Sequence, residues 1–314
     1  MYSGDNHERE TRMTQRLVFL GNHTVGVRSL RSLINVCDVE LVVAHPPDPE
    51  DGVRYESVHD FAVSRSLSVV RSKGKDPDLI SRIRSIEPDL IWTTDYRYLL
   101  PTDLIQSAKK ACINLHPSLL PKYRGRAPLN WAILNGESEV GLTAHIIDDG
   151  VDTGPIVRQR KISISQSEDV GDILRRFEPL YESISLDVIG DLESGDLSPV
   201  CQPDGDWGVW PRRTPEDGRI DWSKSANDIL NLIRAVASPY PGARTRIHGE
   251  DLIIWSARAI SQDTGLESGC ICSTSDSSFC VQAGSGQIEV LSYTRSHESV
   301  SLSIGDRFDR PRTT

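Results

Sequence analysis

The chain has 314 residues, with 35 Lys and Arg against 45 Asp and Glu for a formal charge of -10, and it is 38% apolar and 6% aromatic. At this length that is enough apolar material for a buried core and about two domains, and it is not the make-up of a disordered or repeat-built chain. The acidic balance argues against a nucleic-acid partner held by a broad positive field, but not against a small anion gripped by a few arginines.

Residues 1–16 are polar and mixed in charge, without the apolar stretch and small-residue cleavage site of a signal peptide. The longest apolar runs, such as Leu17–Leu20 and Leu41–Ala44, are strand-sized, so no membrane span and a cytoplasmic location are expected. In chain order, Arg16–Leu20 reads as a strand ending at Gly21, and Val25–Ile34 carries apolar residues at helical spacing. Val39–Ala44 is a second strand, stopped by a turn-rich HPPDPEDG segment; a helix near Val58–Ser66 and a short strand at Leu67–Val70 follow. Asp76 before Pro77 is a helix start for Leu79–Ile86. Asp89–Thr93 is a strand, Pro101–Ser107 a helix and Ala111–Leu115 a strand. Strands and helices alternating at this pace predict an α/β domain with a Rossmann-like, mostly parallel sheet.

Thr143–Ile147 and Ile156–Ile164 read as two further strands around a Gly/Asp turn, and Asp169–Leu192 as a long amphipathic helix. A Gly-, Pro- and Asp-rich zone holding Trp207 and Trp210 then precedes a helix at Ser223–Ala237. Five short strands follow between Arg244 and Tyr293, which predicts a small β-rich domain, an OB-like barrel or a curled sheet. The expected organisation is a flexible tail over 1–14, the α/β domain over 15–195, a linker over 196–209, the β-rich domain over 210–307 and a second tail over 308–314. Cys37, Cys112, Cys201, Cys270, Cys272 and Cys280 have no matched pairing and no histidine close to the last three, so scattered reduced thiols are expected and no metal site.

Gly21-Asn22-His23-Thr24-Val25-Gly26 follows the first strand but lacks the middle glycine that admits a pyrophosphate, so a dinucleotide turn is not expected. Asn22 and His23 nevertheless stand where a sheet strand ends, and are candidates to touch a substrate. The segment richest in candidate chemistry is Asn114–Pro128 (NLHPSLLPKYRGRAP). Asn114 and His116 are two apart, so on an extended backbone they face the same side. A second loop, after the His145 strand, holds Asp148, Asp149 and Asp152. If the two strands are neighbours, an amide, an imidazole and a carboxylate meet in a group suited to acyl transfer. Asn114 would donate to a carbonyl oxygen as charge develops, His116 would move a proton, and an aspartate would orient the ring and favour imidazolium.

Asn114–Gly125 (NLHPSLLPKYRG) together with Asp148–Pro155 (DDGVDTGP) resembles the family of formyltransferases that use 10-formyltetrahydrofolate. The resemblance covers about residues 15–295. It implies a catalytic trio of Asn114, His116 and Asp152. It also implies folate contacts at Tyr98, Leu99, Leu100, Arg126 and the loop Asp148, Asp149, Gly150 and Val151, with the pterin between that loop and the Tyr98–Leu100 backbone. The implied reaction is attack of a neutral primary amine on the formyl carbon of 10-formyltetrahydrofolate, consumed as a co-substrate. The order in which His116 and Asp152 handle the proton stays open.

Members of this family formylate methionyl-tRNA, glycinamide ribonucleotide, nucleotide-linked amino sugars or hydroxyornithine. A tRNA enzyme would be expected to carry a basic surface, whereas Pro46–Tyr55 is net acidic and the second domain supplies no positive field. Lys122-Tyr123, Tyr96-Arg97-Tyr98 and the stretch from Trp210 through Arg212 and Arg213 to Trp222 resemble the amino-sugar enzymes. The expectation is therefore a nucleotide-linked amino sugar of the 4-amino-4-deoxy type, touched by Asn22, His23, Tyr96, Arg97, Lys122, Arg212 and Arg213. Hydroxyornithine and methionyl-tRNA remain as alternative acceptors. A homodimer is the expected assembly, because closed pairs are the commonest.

Overall fold

The structure is a computed structural model and describes residues 14–47, 55–295 and 302–309. Residues 1–13 of the N-terminal tail, residues 48–54 of the acidic Pro46–Tyr55 segment and residues 310–314 of the C-terminal tail lie outside the described residues. Contacts divide the chain into two compact units. One comprises the residues up to Leu115, Ala144–Asp149 and Tyr181–Pro199; the other comprises His116–Thr143, Gly150–Leu180 and the residues from Val200 onward.

The first unit is built on β1 (Gln15–Gly21), β2 (Cys37–Ala44), β3 (Val69–Arg71), β4 (Leu90–Thr94) and β5 (Ala111–His116, whose last residue counts with the second unit). Neighbours in the order β3-β2-β1-β4-β5 run parallel. Leu17, Val18, Phe19 and Leu20 are all fully buried, as are Leu90, Ile91 and Trp92, which explains why these strands read as unbroken apolar runs rather than alternating ones. The strand order turns back on itself at β1 and β4, the kind of place where open α/β sheets bind ligands beyond the strand ends. The connecting helices are α1 (His23–Leu33), α2 (Val58–Ser64), α3 (Pro77–Ile86) and α4 (Thr102–Ile105). Asp76 caps α3 by accepting from the Asp78 amide, with Pro77 in the first turn, as its sequence predicts.

One helix is missing from the sequence reading. Pro128–Leu134 forms α5, entered through Ala127 at φ 53° and started by Pro128. Its seven residues are too few to establish a periodicity, although Leu129, Ala132 and Ile133 lie on one buried face. Strands β6 (Glu139–Ile146) and β7 (Ile156–Ser163) complete a seven-stranded sheet of order β3-β2-β1-β4-β5-β6-β7, and α6 (Val170–Ser194) follows.

From Val200 onward the second unit carries a 3-10 turn at Pro215–Gly218 and α7 (Ala226–Val236), capped by the Ser225 side chain. The five-stranded antiparallel sheet has the order β10-β11-β12-β9-β8, formed by β8 (Ala243–Ile247), β9 (Glu250–Ile260), β10 (Ile271–Thr274), β11 (Phe279–Gln282) and β12 (Gln287–Arg295). The buried stripe of α7, Ile229, Leu230, Ile233 and Val236, shares one core with Ile254, Ile271, Val281 and Val290 of this sheet. Phe308 corrects the expected start of the C-terminal tail. It is 2% exposed, stacks against Trp222 and Phe279, and its amide donates to the Gly269 carbonyl. Among the described residues no helix is long and apolar enough to cross a membrane.

Candidate active site

The end of β5 carries both strand residues of the expected trio. Asn114 lies opposite Thr93 in the parallel register of β4 and β5, and the buried Thr93 hydroxyl donates to Asn114 Oδ1 at 2.7 Å. Asn114 Nδ2 donates to Nε2 of His145, on β6, at 3.1 Å. The tautomer of His145 follows from its other contact: Nδ1 lies 2.8 Å from the Ile146 carbonyl, which can only accept, so Nδ1 carries the proton and Nε2 presents a lone pair. The amide of Asn114 is therefore turned with oxygen toward Thr93 and nitrogen toward His145. The reverse orientation would set two lone pairs against each other at His145.

His116 is 5% exposed. Its Nε2–H donates to the Tyr123 carbonyl at 2.9 Å, and Nδ1 lies 3.6 Å from Asp152 Oδ2. Both ring nitrogens thus face acceptors, which favours the imidazolium form. Asp152 Oδ2 accepts the Gly125 amide at 2.8 Å. Asp152, Tyr123 and Gly125 take positive φ values of 53°, 59° and 99°, so this loop pair holds two side-chain-bearing residues in the left-handed region that such residues adopt infrequently. Gly125 has no room for a Cβ, which would stand 2.5 Å from the Trp210 carbonyl oxygen. The Tyr123 hydroxyl donates to Glu137 and is pushed up to about 12, by burial first and then by that carboxylate.

Beyond the ends of β1, β2 and β3, still within the first unit, lies a cavity of about 250 Å3 lined by Asn22, His23, His45, Tyr55, His59, Arg71 and Arg97 among others. His23 and Asp95 both take left-handed backbone conformations there, at φ 57° and 53°. His23 Nδ1 lies 2.7 Å from Asp95 Oδ2, Nε2 accepts from the Arg97 guanidinium at 2.9 Å, and the ring stacks on Tyr55 with centroids 3.9 Å apart. The Arg97 amide donates to His45 Nε2. The cavity wall accordingly carries the guanidinium groups of Arg71 and Arg97 together with one carboxylate, that of Glu56.

The remaining expected site residues divide. Tyr98 stands against His45 and Tyr96, Leu99 is 67% exposed, and Leu100 packs on the apolar cluster of Val18, Leu20 and Ile91. Asp148, Asp149 and Gly150 are exposed and Val151 is half-buried; Asp149 accepts from the Thr102 hydroxyl. Arg126 is exposed and its amide donates to the Trp210 carbonyl. Three expected substrate contacts are engaged elsewhere. Lys122 is an exposed partner of Glu137. The Tyr96 hydroxyl donates to the Ser72 carbonyl. Arg213 lies 4.7 Å over the Trp131 ring and donates to the Asp217 carbonyl, so it holds its own segment together. Arg212 is exposed. Sequence reasoning missed Thr93 and His145 as orienting groups, because only strand register brings them to Asn114. Among the described residues no group of three or more His, Cys, Asp or Glu is placed to hold a metal ion.

Among solved structures the chain is similar to an N-formyltransferase from Helicobacter canadensis in complex with folinic acid and dTDP-3-aminofucose (20% identity, 89% of this chain and 99% of that one, TM-score 0.66). It is also similar to WlaRD, a sugar 3N-formyl transferase solved in the presence of dTDP and 5-N-formyl-THF (21% identity, 91% and 99%, TM-score 0.68). A sugar N-formyltransferase from Shewanella sp FDAARGOS_354 aligns at 18% identity over 77% of this chain and 97% of that one, with a TM-score of 0.60. At such identities the likeness speaks for the fold. The family model described as formyl transferase matches residues 17–189, more than half of the chain, and the model described as formyl transferase, C-terminal domain, matches residues 212–301. The protein belongs to the formyl transferase family.

Proposed function

We propose that the protein transfers a formyl group from 10-formyltetrahydrofolate to the primary amine of a nucleotide-linked amino sugar, giving the N-formyl sugar and tetrahydrofolate. The observation that carries this reading is the fixed amide of Asn114, an N–H donor oriented by Thr93 and His145, two residues before a histidine whose ring nitrogens both face acceptors. Electrophilic carbon is what the folate supplies. Asn114 donates to the formyl oxygen as negative charge develops there, and the charge of the His116 imidazolium adds to that stabilisation. His116 and Asp152 form the proton-handling pair, accepting the proton that leaves the attacking amine and returning one to the departing nitrogen.

The residues fit a flat ring with a polar edge. Leu99 offers an exposed apolar side chain after β4, and the exposed Asp148–Gly150 loop offers carboxylates and peptide groups for hydrogen bonding. With Tyr98, Leu100, Arg126 and Val151 they are the proposed folate contacts. The cavity walled by His23, Arg71 and Arg97 suits an anionic acceptor, since guanidinium groups hold phosphate oxygens by charge-assisted hydrogen bonds. A nucleotide diphosphate has that chemistry, and two of the similar structures hold dTDP or a dTDP-linked amino sugar. The test is a panel of dTDP-, UDP- and GDP-linked 3-amino and 4-amino sugars, with hydroxyornithine and methionyl-tRNA beside them, each offered with 10-formyltetrahydrofolate while tetrahydrofolate release is followed. Turnover of a nucleotide sugar is expected. Turnover confined to hydroxyornithine or methionyl-tRNA overturns the choice of acceptor, and full activity of His116→Ala overturns the mechanism.

A further inference from the structure

We infer that Gln202 is a positioning residue for the His116–Asp152 pair, so that the segment following the α/β fold takes part in the chemistry. The inference rests on the roles proposed above for His116 and Asp152.

Between Val200 and Val209 the chain is exposed except at two residues, Trp207 and Gln202. Gln202 is half-buried, and its amide is used to capacity. Nε2 donates to the carbonyls of Asp152 and Gly154, both at 2.8 Å. Oε1 accepts from Nε and a terminal nitrogen of Arg124, at 3.1 and 2.6 Å. Two donors meet two carbonyls and the oxygen meets two N–H groups, so the amide can be oriented in only one way.

The two loops that Gln202 joins are those that hold His116. The first supplies the Tyr123 carbonyl that accepts from His116 Nε2 and the Gly125 amide that donates to the Asp152 carboxylate. The second supplies Asp152 itself, held at a φ of 53° that a residue with a side chain seldom adopts unaided. Gln202 grips the second loop at the Asp152 carbonyl and the first at Arg124, the residue between Tyr123 and Gly125. Eight residues later the same segment meets the first loop again: the Trp210 amide donates to the Arg124 carbonyl, and the Arg126 amide to the Trp210 carbonyl. Without Gln202 the Asp152 backbone loses this partner at its strained residue, and the loop that brings its carboxylate within 3.6 Å of His116 is held less firmly. No other residue type does the same work. Glutamate accepts from Arg124 but cannot donate to two carbonyls, and asparagine is one carbon shorter.

The test is Gln202→Met, which keeps the length of the side chain and removes its hydrogen bonds. Gln202→Ser serves as a second variant should methionine not be accommodated. The His116 imidazole is titrated by NMR in the free protein, a readout that needs no acceptor and stands even if no formyl transfer is found. Asp152→Asn is expected to lower the His116 titration midpoint, because it removes the opposing charge. Gln202→Met is expected to lower it in the same direction, and to add nothing in the Asp152→Asn background. Where turnover is available, kcat is expected to fall on the order of ten- to a hundredfold with KM little changed, as a misplacement of catalytic groups of about 1 Å gives. A midpoint unmoved by Gln202→Met, or an equal further shift in the Asp152→Asn background, overturns the inference.

Discussion

Replacing His145 by leucine tests how the Asn114 amide is aimed. In the folded protein the productive orientation has two hydrogen bonds, from the Thr93 hydroxyl and to His145 Nε2. The reversed amide could still donate to Thr93 Oγ1, since that hydroxyl has a second acceptor at the Ile113 carbonyl, 3.3 Å away. At His145, however, it would lose a hydrogen bond worth about 1 kcal/mol and set oxygen against a buried lone pair at a cost of about 1–3 kcal/mol. The productive orientation is thus favoured by roughly 2 kcal/mol or more, which is above 95% occupancy. His145→Leu removes that discrimination and leaves two orientations of nearly equal energy. Population alone then costs about a factor of two, and full loss of an oxyanion donor about 10²–10³ in kcat, so the expected loss lies between these bounds. Thr93→Val leaves His145 in charge of the orientation and is expected to cost less than His145→Leu. The assay is tetrahydrofolate release under saturating donor, with whichever amine of the panel turns over. In the Asn114→Ala background His145→Leu should have no further effect on kcat. A larger loss from Thr93→Val than from His145→Leu, or undiminished additivity with Asn114→Ala, refutes the reasoning.

Arg97→Met should raise KM for the acceptor about tenfold or more while changing kcat much less, because a charge-assisted contact to an anion away from the reacting atoms is worth about 1.5–3 kcal/mol; an unchanged acceptor KM removes the cavity from the proposed binding site. Phe308→Ala should lower stability by about 3–5 kcal/mol, the usual cost of emptying an aromatic site in a core, read as a fall in the urea midpoint; a change within error would return Phe308 to the tail. Burial pushes the thiols of Cys37 and Cys112 up to about 12, with the Glu193 charge adding to the effect at Cys37. Both keep their protons in the folded state at pH values where the unfolded chain, titrating near 9.0, has lost them. Stability from these groups is therefore whole below about pH 9 and falls as pH rises toward 12, by at most about 1.4 kcal/mol per pH unit for each thiol. Cys112→Ala should accordingly lose less stability than the parent protein between pH 8 and pH 10; equal losses contradict the assignment.

Local pattern carried the sequence a long way. Apolar runs bounded by Gly, Pro and Asp located the parallel strands of the first unit to within a few residues, since burial on both faces of a parallel sheet leaves an unbroken signature. Two-residue alternation put Asn114 and His116 on the same side of one strand, and the Asp/Gly turn supplied Asp152. Each of these depends on residues adjacent or nearly adjacent in the chain. What was not legible depends on contacts between distant segments. Thr93 and His145 reach Asn114 from 21 residues before and 31 after it, and Gln202 reaches Asp152 from 50 residues away. Lys122 and Arg213 have the charge of anion-binding residues, but neighbouring groups, Glu137 and Trp131, already engage them. The sequence by itself determined which candidate residues the chain holds and on which strand and loop they stand. Tertiary structure alone decided how those groups are aimed, because a hydrogen bond or an ion pair is set by distance and angle in space, and separation along the chain carries neither.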